Sequence, residues 1–229
     1  TGGSVTLTSS AGTSYLWSTG ATISSINVTT AGNYTVQVTN AGGCQSAVST
    51  ATTVTVNSLP SAPTITAGGP TTFCPGGSVT LTSSAGTSYL WSTGATTAGI
   101  NVTTAGSYTV QVTNASGCQS SSSAATTVTI NALPSTPTIT AGGPTTFCTG
   151  GSVTLTSSAG TSYLWSTTAT TSGINVSSAG SYTVQVTNAS GCQSAASTPT
   201  VVTVNTLPST PTITAGGPTT FCTGGSVTL

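Results

Sequence analysis

The stretch "CPGGSVTLTSSAGTSYLWSTG", residues 74–94, decides the fold. Val79 and Leu81 alternate with Thr80 and Thr82, and after the "SSAG" break Tyr89 and Trp91 repeat the same alternation. A period of two puts apolar side chains on one face of an extended segment and hydroxyls on the other, as in a half-buried strand. The Gly and Ser clusters between the runs supply turns.

Further along, Ile100 and Val102, then Tyr108, Val110 and Val112, then Val128 and Ile130 each line one face. Thr and Val dominate these runs, and β-branched side chains suit a pleated surface better than a helix. About seven short strands at regular spacing predict an all-β sandwich. The pattern recurs every 74 residues: Trp17, Trp91 and Trp165 mark it, as do Cys44, Cys118 and Cys192, and Cys74, Cys148 and Cys222.

Boundaries fall at "NSLPSAP", "NALPSTP" and "NTLPSTP", centred on Pro60, Pro134 and Pro208. Paired prolines remove backbone donors and hold the chain extended, which makes a short, stiff linker. The expected organisation is a partial module at 1–59 that lacks its first strand, complete modules at 60–133 and 134–207, and the first strands of a further module at 208–229. "TGGSVTL" stands at both 1–7 and 223–229. Strand donation between subunits is one arrangement this permits, but the overlap duplicates part of a strand and argues for a continuous chain cut at both ends.

The chain contains no Lys, Arg, Asp, Glu or His. Nucleic-acid binding and polybasic membrane attachment both need Lys and Arg, so neither is expected. No apolar run reaches the ~18 residues of a membrane helix, and no membrane insertion is expected. A neutral surface also lacks the repulsion that keeps proteins apart, so a sugar coat or membership of a polymer is implied. Ser and Thr supply 94 hydroxyls, 57 from Thr and 37 from Ser.

Catalysis is excluded by elimination, because a Ser, Thr or Cys nucleophile has no base to activate it. Metal and cofactor sites are not expected, since carboxylates and imidazoles are missing. The Gly76–Gly77 pair, with no Lys and no following helix, reads as a turn. Trp91, Tyr89 and Tyr108 could stack on a sugar, yet their parity places them in the core, with Tyr108 as a tyrosine corner. Leu90 has the opposite parity and is the expected exposed contact. Six Asn stand in N-x-[ST] and are candidate glycosylation sites: Asn27, Asn33, Asn101, Asn114, Asn175 and Asn188.

Six cysteines without His, CxxC or metal-ligand spacing read as disulfides formed in an oxidising compartment: Cys44, Cys74, Cys118, Cys148, Cys192 and Cys222. The simplest pairing lies within a module, Cys74 with Cys118 and Cys148 with Cys192. Against it, those cysteines flank strands at opposite poles, and a seven-residue strand spans about 23 Å whereas a disulfide needs Cα atoms about 4.4–6.8 Å apart. Pairing between neighbours, Cys74 with Cys192, and pairing across a linker, Cys44 with Cys74, are the alternatives.

The shape "FC-x-GGSVTLT … YLWSTG … GSYTVQVTN-x-x-GC" resembles the immunoglobulin-like and PKD-like repeats of large Bacteroidota surface proteins, the adhesins and gliding-associated proteins exported by the type IX system. The resemblance covers both complete modules and most of each partial one. It implies tandem immunoglobulin-like β-sandwich modules of 74 residues in an extracellular, cell-surface protein. PKD-like relatives commonly carry an acidic "WDFGDG" loop, whereas residues 91–96 read "WSTGAT". The Asp-containing O-glycan motif associated with that phylum is impossible here, although Thr-dense faces remain open to O-linked sugar. The expected function is structural: a repeat region of a secreted, disulfide-stapled filament or adhesin stalk whose partners are neighbouring modules or identical chains, with covalent glycans. The rival is a glycan-binding adhesin module mediating attachment.

Overall fold

The computed structural model describes residues 2–229 and is all-β, with strands from Val5 to Asn205 and no helix among the described residues. No helix is therefore long and apolar enough to cross a membrane. The chain forms two compact units, one of Thr1–Gly69, Val79–Val102 and Gly106–Thr127, the other of Pro70–Ser78, Thr103–Ala105 and Val128–Leu229.

The alternation seen in the sequence sets each register. In the first unit Val79–Ser83 is the centre of a three-stranded antiparallel sheet, between Gly99–Val102 and Ile65–Ala67. Its burial alternates strictly, Val79 at 4% and Leu81 at 0% exposure with Thr80 and Thr82 outward. A second pairing sets Ser88–Trp91 against Val110–Thr113, with Trp91 opposite Val110. In the second unit the same pattern returns: Ile139–Ala141 and Gly173–Val176 flank Val153–Ser157, and Ser162–Trp165 pairs with Val184–Thr187. Thr200–Asn205 is flanked there by Gly180–Tyr182, antiparallel, and Thr146–Cys148, parallel. The core of this unit is Val153, Leu155, Trp165, Val176, Tyr182, Val184 and Val202.

Trp91 is 2% exposed and its indole N–H donates to the Thr97 carbonyl at 2.8 Å. Trp17 and Trp165 make the same bond to Ile23 and Thr171. Tyr182 is a tyrosine corner, its hydroxyl donating to the Ser178 carbonyl at 2.9 Å. Leu90, by contrast, is exposed, as are Leu16 and Leu164, so the parity that sends Trp91 inward sends Leu90 out.

Strand edges are closed by serines. The Val110 and Val112 N–H groups donate to Ser123 Oγ and Ser120 Oγ at 3.1 and 3.0 Å, and both serines are buried. Those serines return their own N–H groups to the Val110 and Val112 carbonyls at 2.9 Å. A segment that is not itself a strand thus satisfies donors that an open edge would expose.

The turn after each Trp requires a left-handed residue. Gly20 and Gly94 occupy it at φ +85°, but the third copy places Thr168 there at φ 69°. A β-branched side chain in that region is strained by about 1–3 kcal/mol. Thr168→Gly should therefore raise stability by about 1 kcal/mol after the added chain entropy of glycine. Gly94→Thr should lower it by a similar amount, both read from urea unfolding midpoints.

Candidate functional site at the cysteine joint

The chemistry that distinguishes this chain is concentrated where two cysteines meet. Thr72–Phe73 runs parallel to the end of Thr126–Ile130, with Ile130 opposite Phe73, and the Asn131 N–H donates to the Phe73 carbonyl at 2.9 Å. That pairing brings Cys74 beside Asn131. The following turn is closed by the Gly77 N–H on the Cys74 carbonyl at 3.0 Å, with Gly76 at φ +89°. A Cβ on Gly77 would lie 2.9 Å from Phe73 Cδ2, so only glycine lets the ring fold over this turn.

Cys192 reaches the same peptide from the other side. Asn188 opens the turn "NASGC", its Oδ1 accepting from the Ser190 and Cys192 N–H groups at 3.0 Å each. The turn is completed by the Asn188 N–H on the Cys192 carbonyl at 3.0 Å, with Gly191 at φ +78°. Asn188 Nδ2 then donates to the Ala132 carbonyl at 2.9 Å, and Cys192 Sγ lies 4.0 Å from the Asn131 carbonyl oxygen. A disulfide sulfur has no proton, so this last approach is a packing contact.

Both cysteines thus converge on Asn131–Ala132, and they are bonded: Cys74 and Cys192 form a disulfide with Cα atoms 5.6 Å apart, 118 residues apart in sequence. This corrects the simplest expectation, pairing within a 74-residue repeat, because both cysteines that it assigns to different bonds are joined to each other. It also excludes Cys44 with Cys74. The strands that separate the poles of a repeat are the physical reason.

Among the described residues Cys44, Cys118, Cys148 and Cys222 are free, whereas the sequence reading places all six cysteines in disulfides. Within residues 1–229 only Cys74 and Cys192 are separated by 118 (192 − 74), so no other pair in this span can repeat that bond. Cys118 nevertheless sits in the same setting as Cys192. Asn114 Oδ1 accepts from the Ser116 and Cys118 N–H groups at 3.1 and 2.9 Å, Nδ2 donates to the Ser58 carbonyl at 2.9 Å, and Sγ lies 3.9 Å from the Asn57 carbonyl oxygen.

The candidate glycosylation sites divide by the same geometry. Asn27, Asn33, Asn101 and Asn175 are exposed on strands. Asn114 and Asn188 have both ends of the amide committed to the cysteine turn and linker. Tyr89 is half-buried and its hydroxyl accepts from the Gly86 N–H at 3.2 Å, which occupies its polar tip.

No protein-family model and no curated protein matches the chain. Among solved structures the human OSCAR ligand-binding domain matches at 15% identity over 64% of this chain and 100% of that one, with a TM-score of 0.28, too low to support any inference. What the fold and the joint define is an all-β chain of mainly antiparallel sheets that carries the Cys74–Cys192 disulfide.

A non-reducing chymotryptic map should recover Cys74 linked to Cys192; a Cys74–Cys118 peptide would overturn the joint. Replacing both bonded cysteines by Ser removes a 118-residue closure and should lower stability by up to about 5 kcal/mol in urea unfolding. Asn188→Ala, which strips the turn of its acceptor and leaves two N–H groups unmet, should cost about 1–3 kcal/mol.

Proposed function

We propose that this chain is a structural repeat region of a secreted surface filament or adhesin stalk, built of tandem immunoglobulin-like modules of 74 residues and without catalytic activity. In this reading 60–133 and 134–207 are complete modules, flanked by partial ones at 1–59 and 208–229. The observation that carries it is the Cys74–Cys192 disulfide, whose two cysteines fall in successive sequence repeats. A bond inside one repeat would stabilise that repeat alone. A bond from one repeat to the next serves the continuity of the array.

Three further features support it. Linkers are held by side chains, Asn114 on Ser58 and Asn188 on Ala132, so they do not act as free tethers. The neutral surface gives neighbouring copies no charge repulsion to overcome. Exposed Leu16, Leu90 and Leu164 recur at the repeat period in the sequence, and each offers an apolar contact to identical chains. The disulfide suits an extracellular, oxidising compartment, and exposed Asn27, Asn33, Asn101 and Asn175, with the Thr-rich faces, are available to glycans.

Electron microscopy of native material tests this directly. Uniform filaments or stalks with a regular axial repeat are expected, and dispersed particles without repeat would overturn it. On a glycan array the chain should bind nothing; saturable binding to one sugar class would instead establish the glycan-binding adhesin reading.

A further inference from the structure

Three of the N-x-[ST] asparagines share one place in the fold. Asn27, Asn101 and Asn175 stand 74 residues apart. Each is exposed and is followed by a buried Val and then an exposed hydroxyl, Thr29, Thr103 or Ser177. Extended backbone presents residues i and i+2 on one face, so amide and hydroxyl point the same way. Among the described residues no hydrogen bond engages any of these three side-chain amides. The other candidates differ. Asn33 Oδ1 accepts from Thr53 Oγ1 at 2.7 Å and Thr35 is half-buried, while Asn114 and Asn188 hold the cysteine turns and linkers.

The same three asparagines lie on strand edges. Ser25–Val28, Gly99–Val102 and Gly173–Val176 each have a single strand neighbour. The Ser83 N–H donates to the Ala98 carbonyl at 2.9 Å, and Ser9 and Ser157 do the same to Ser24 and Ser172. Bonded and non-bonded pairs alternate along an antiparallel ladder. Counting from those bonds, Asn27, Asn101 and Asn175 fall on non-bonded positions and turn their own N–H and C=O toward the open side. The Thr97 and Thr171 hydroxyls donate to the Gly99 and Gly173 carbonyls at 2.7 and 2.6 Å. The asparagine backbone groups have no such cover among the described residues. An edge of this kind recruits further strands, and proteins commonly blunt it with charge, above all Lys. This chain has no charged side chain to put there.

Beside Asn175 the edge opens into a hollow of about 570 Å³, lined by Thr167, Thr171, Ser177, Ser178 and Tyr182. That volume lies within the roughly 300–1,000 Å³ typical of small-molecule sites. Its wall offers hydroxyls and one aromatic ring, whose own hydroxyl is held by the Ser178 carbonyl. Hydroxyls both donate and accept, which matches a neutral sugar. An acidic sugar would find no counterion.

We propose that Asn27, Asn101 and Asn175 carry a neutral N-linked sugar, which guards each strand edge as a charge does in other proteins. At Asn175 the first sugar lies in the hollow. Its hydration shell stands over the open N–H and C=O, and a strand docking about 4.8 Å away would have to strip it. The donor is a glycosyl pyrophosphate presented by a transferase. The bond from the anomeric carbon to the phosphate oxygen breaks and its electron pair leaves with the phosphate. The Nδ2–carbon bond forms, and one Nδ2 proton passes to a base of the transferase. The proposal deepens the reading of the chain as an exported surface array, and rests on it for the meeting with that enzyme.

The test starts from chain purified from the cell that makes it. Chymotryptic peptides, fragmented by electron transfer so that sugars stay on their residues, should show a hexose or N-acetylhexosamine on Asn27, Asn101 and Asn175. Asn33, Asn114 and Asn188 should be bare. Sugar on Asn114 or Asn188, or none on the three edge asparagines, would overturn the site. An Asn27→Gln/Asn101→Gln/Asn175→Gln variant from the same cell should unfold at the wild-type urea concentration, since these amides hold nothing. It should nevertheless precipitate as sheets with the ~4.7–4.8 Å strand spacing. Lys at the same three positions should restore solubility without sugar. A Gln variant that stays dispersed, or a Lys variant that precipitates equally, would overturn the guarding role. Regular native filaments with bare edge asparagines would overturn this proposal alone. Glycosylated chain without any axial repeat would overturn the filament reading and support the site.

Discussion

A protein without acids, bases or imidazoles can satisfy its buried polar groups only with neutral partners, and that constraint shapes its strand edges, turns and linkers. Neutral hydrogen bonds are individually modest, and an unmet buried donor costs more than a met one contributes. The chain answers by using short polar side chains as extensions of its backbone. Ser120 and Ser123 finish a strand edge, Asn114 and Asn188 hold a turn with one end of the amide and a linker with the other, and each Trp indole closes its own loop. Many of these bonds bridge residues close in sequence, so each repeat can organise its turns before its long-range contacts form.

Much of the fold is legible because burial on a strand is written in alternate residues. Val79, Leu81 and Trp91 face the core and Leu90 does not, and the spacing alone distinguishes them. Tyrosine corners and glycine turns are legible for a related reason, since each needs one particular side chain or one particular backbone region.

The joint was not legible to the same degree. Choosing the cysteine pairing depends on Thr72–Phe73, too short to show a period, whose parallel partner is more than fifty residues away. Asn114 and Asn188 fit a glycosylation pattern, and nothing in that three-residue pattern reveals that both ends of the amide are already engaged. Buried Ser120 and Ser123 lie in a Ser-rich run that composition alone reads as loop. In each case the deciding fact is a contact across the fold, and a linear pattern does not contain it.

The span of the disulfide has a consequence for contour length. An extended chain covers ~3.3–3.6 Å per residue, so 118 residues amount to roughly 400 Å of potential extension. Cys74 and Cys192 hold the ends of that length 5.6 Å apart between Cα atoms. Tension applied outside the bond passes through the two sulfurs and bypasses the strands they enclose. Those strands can open and re-form while the distance along the molecule stays fixed.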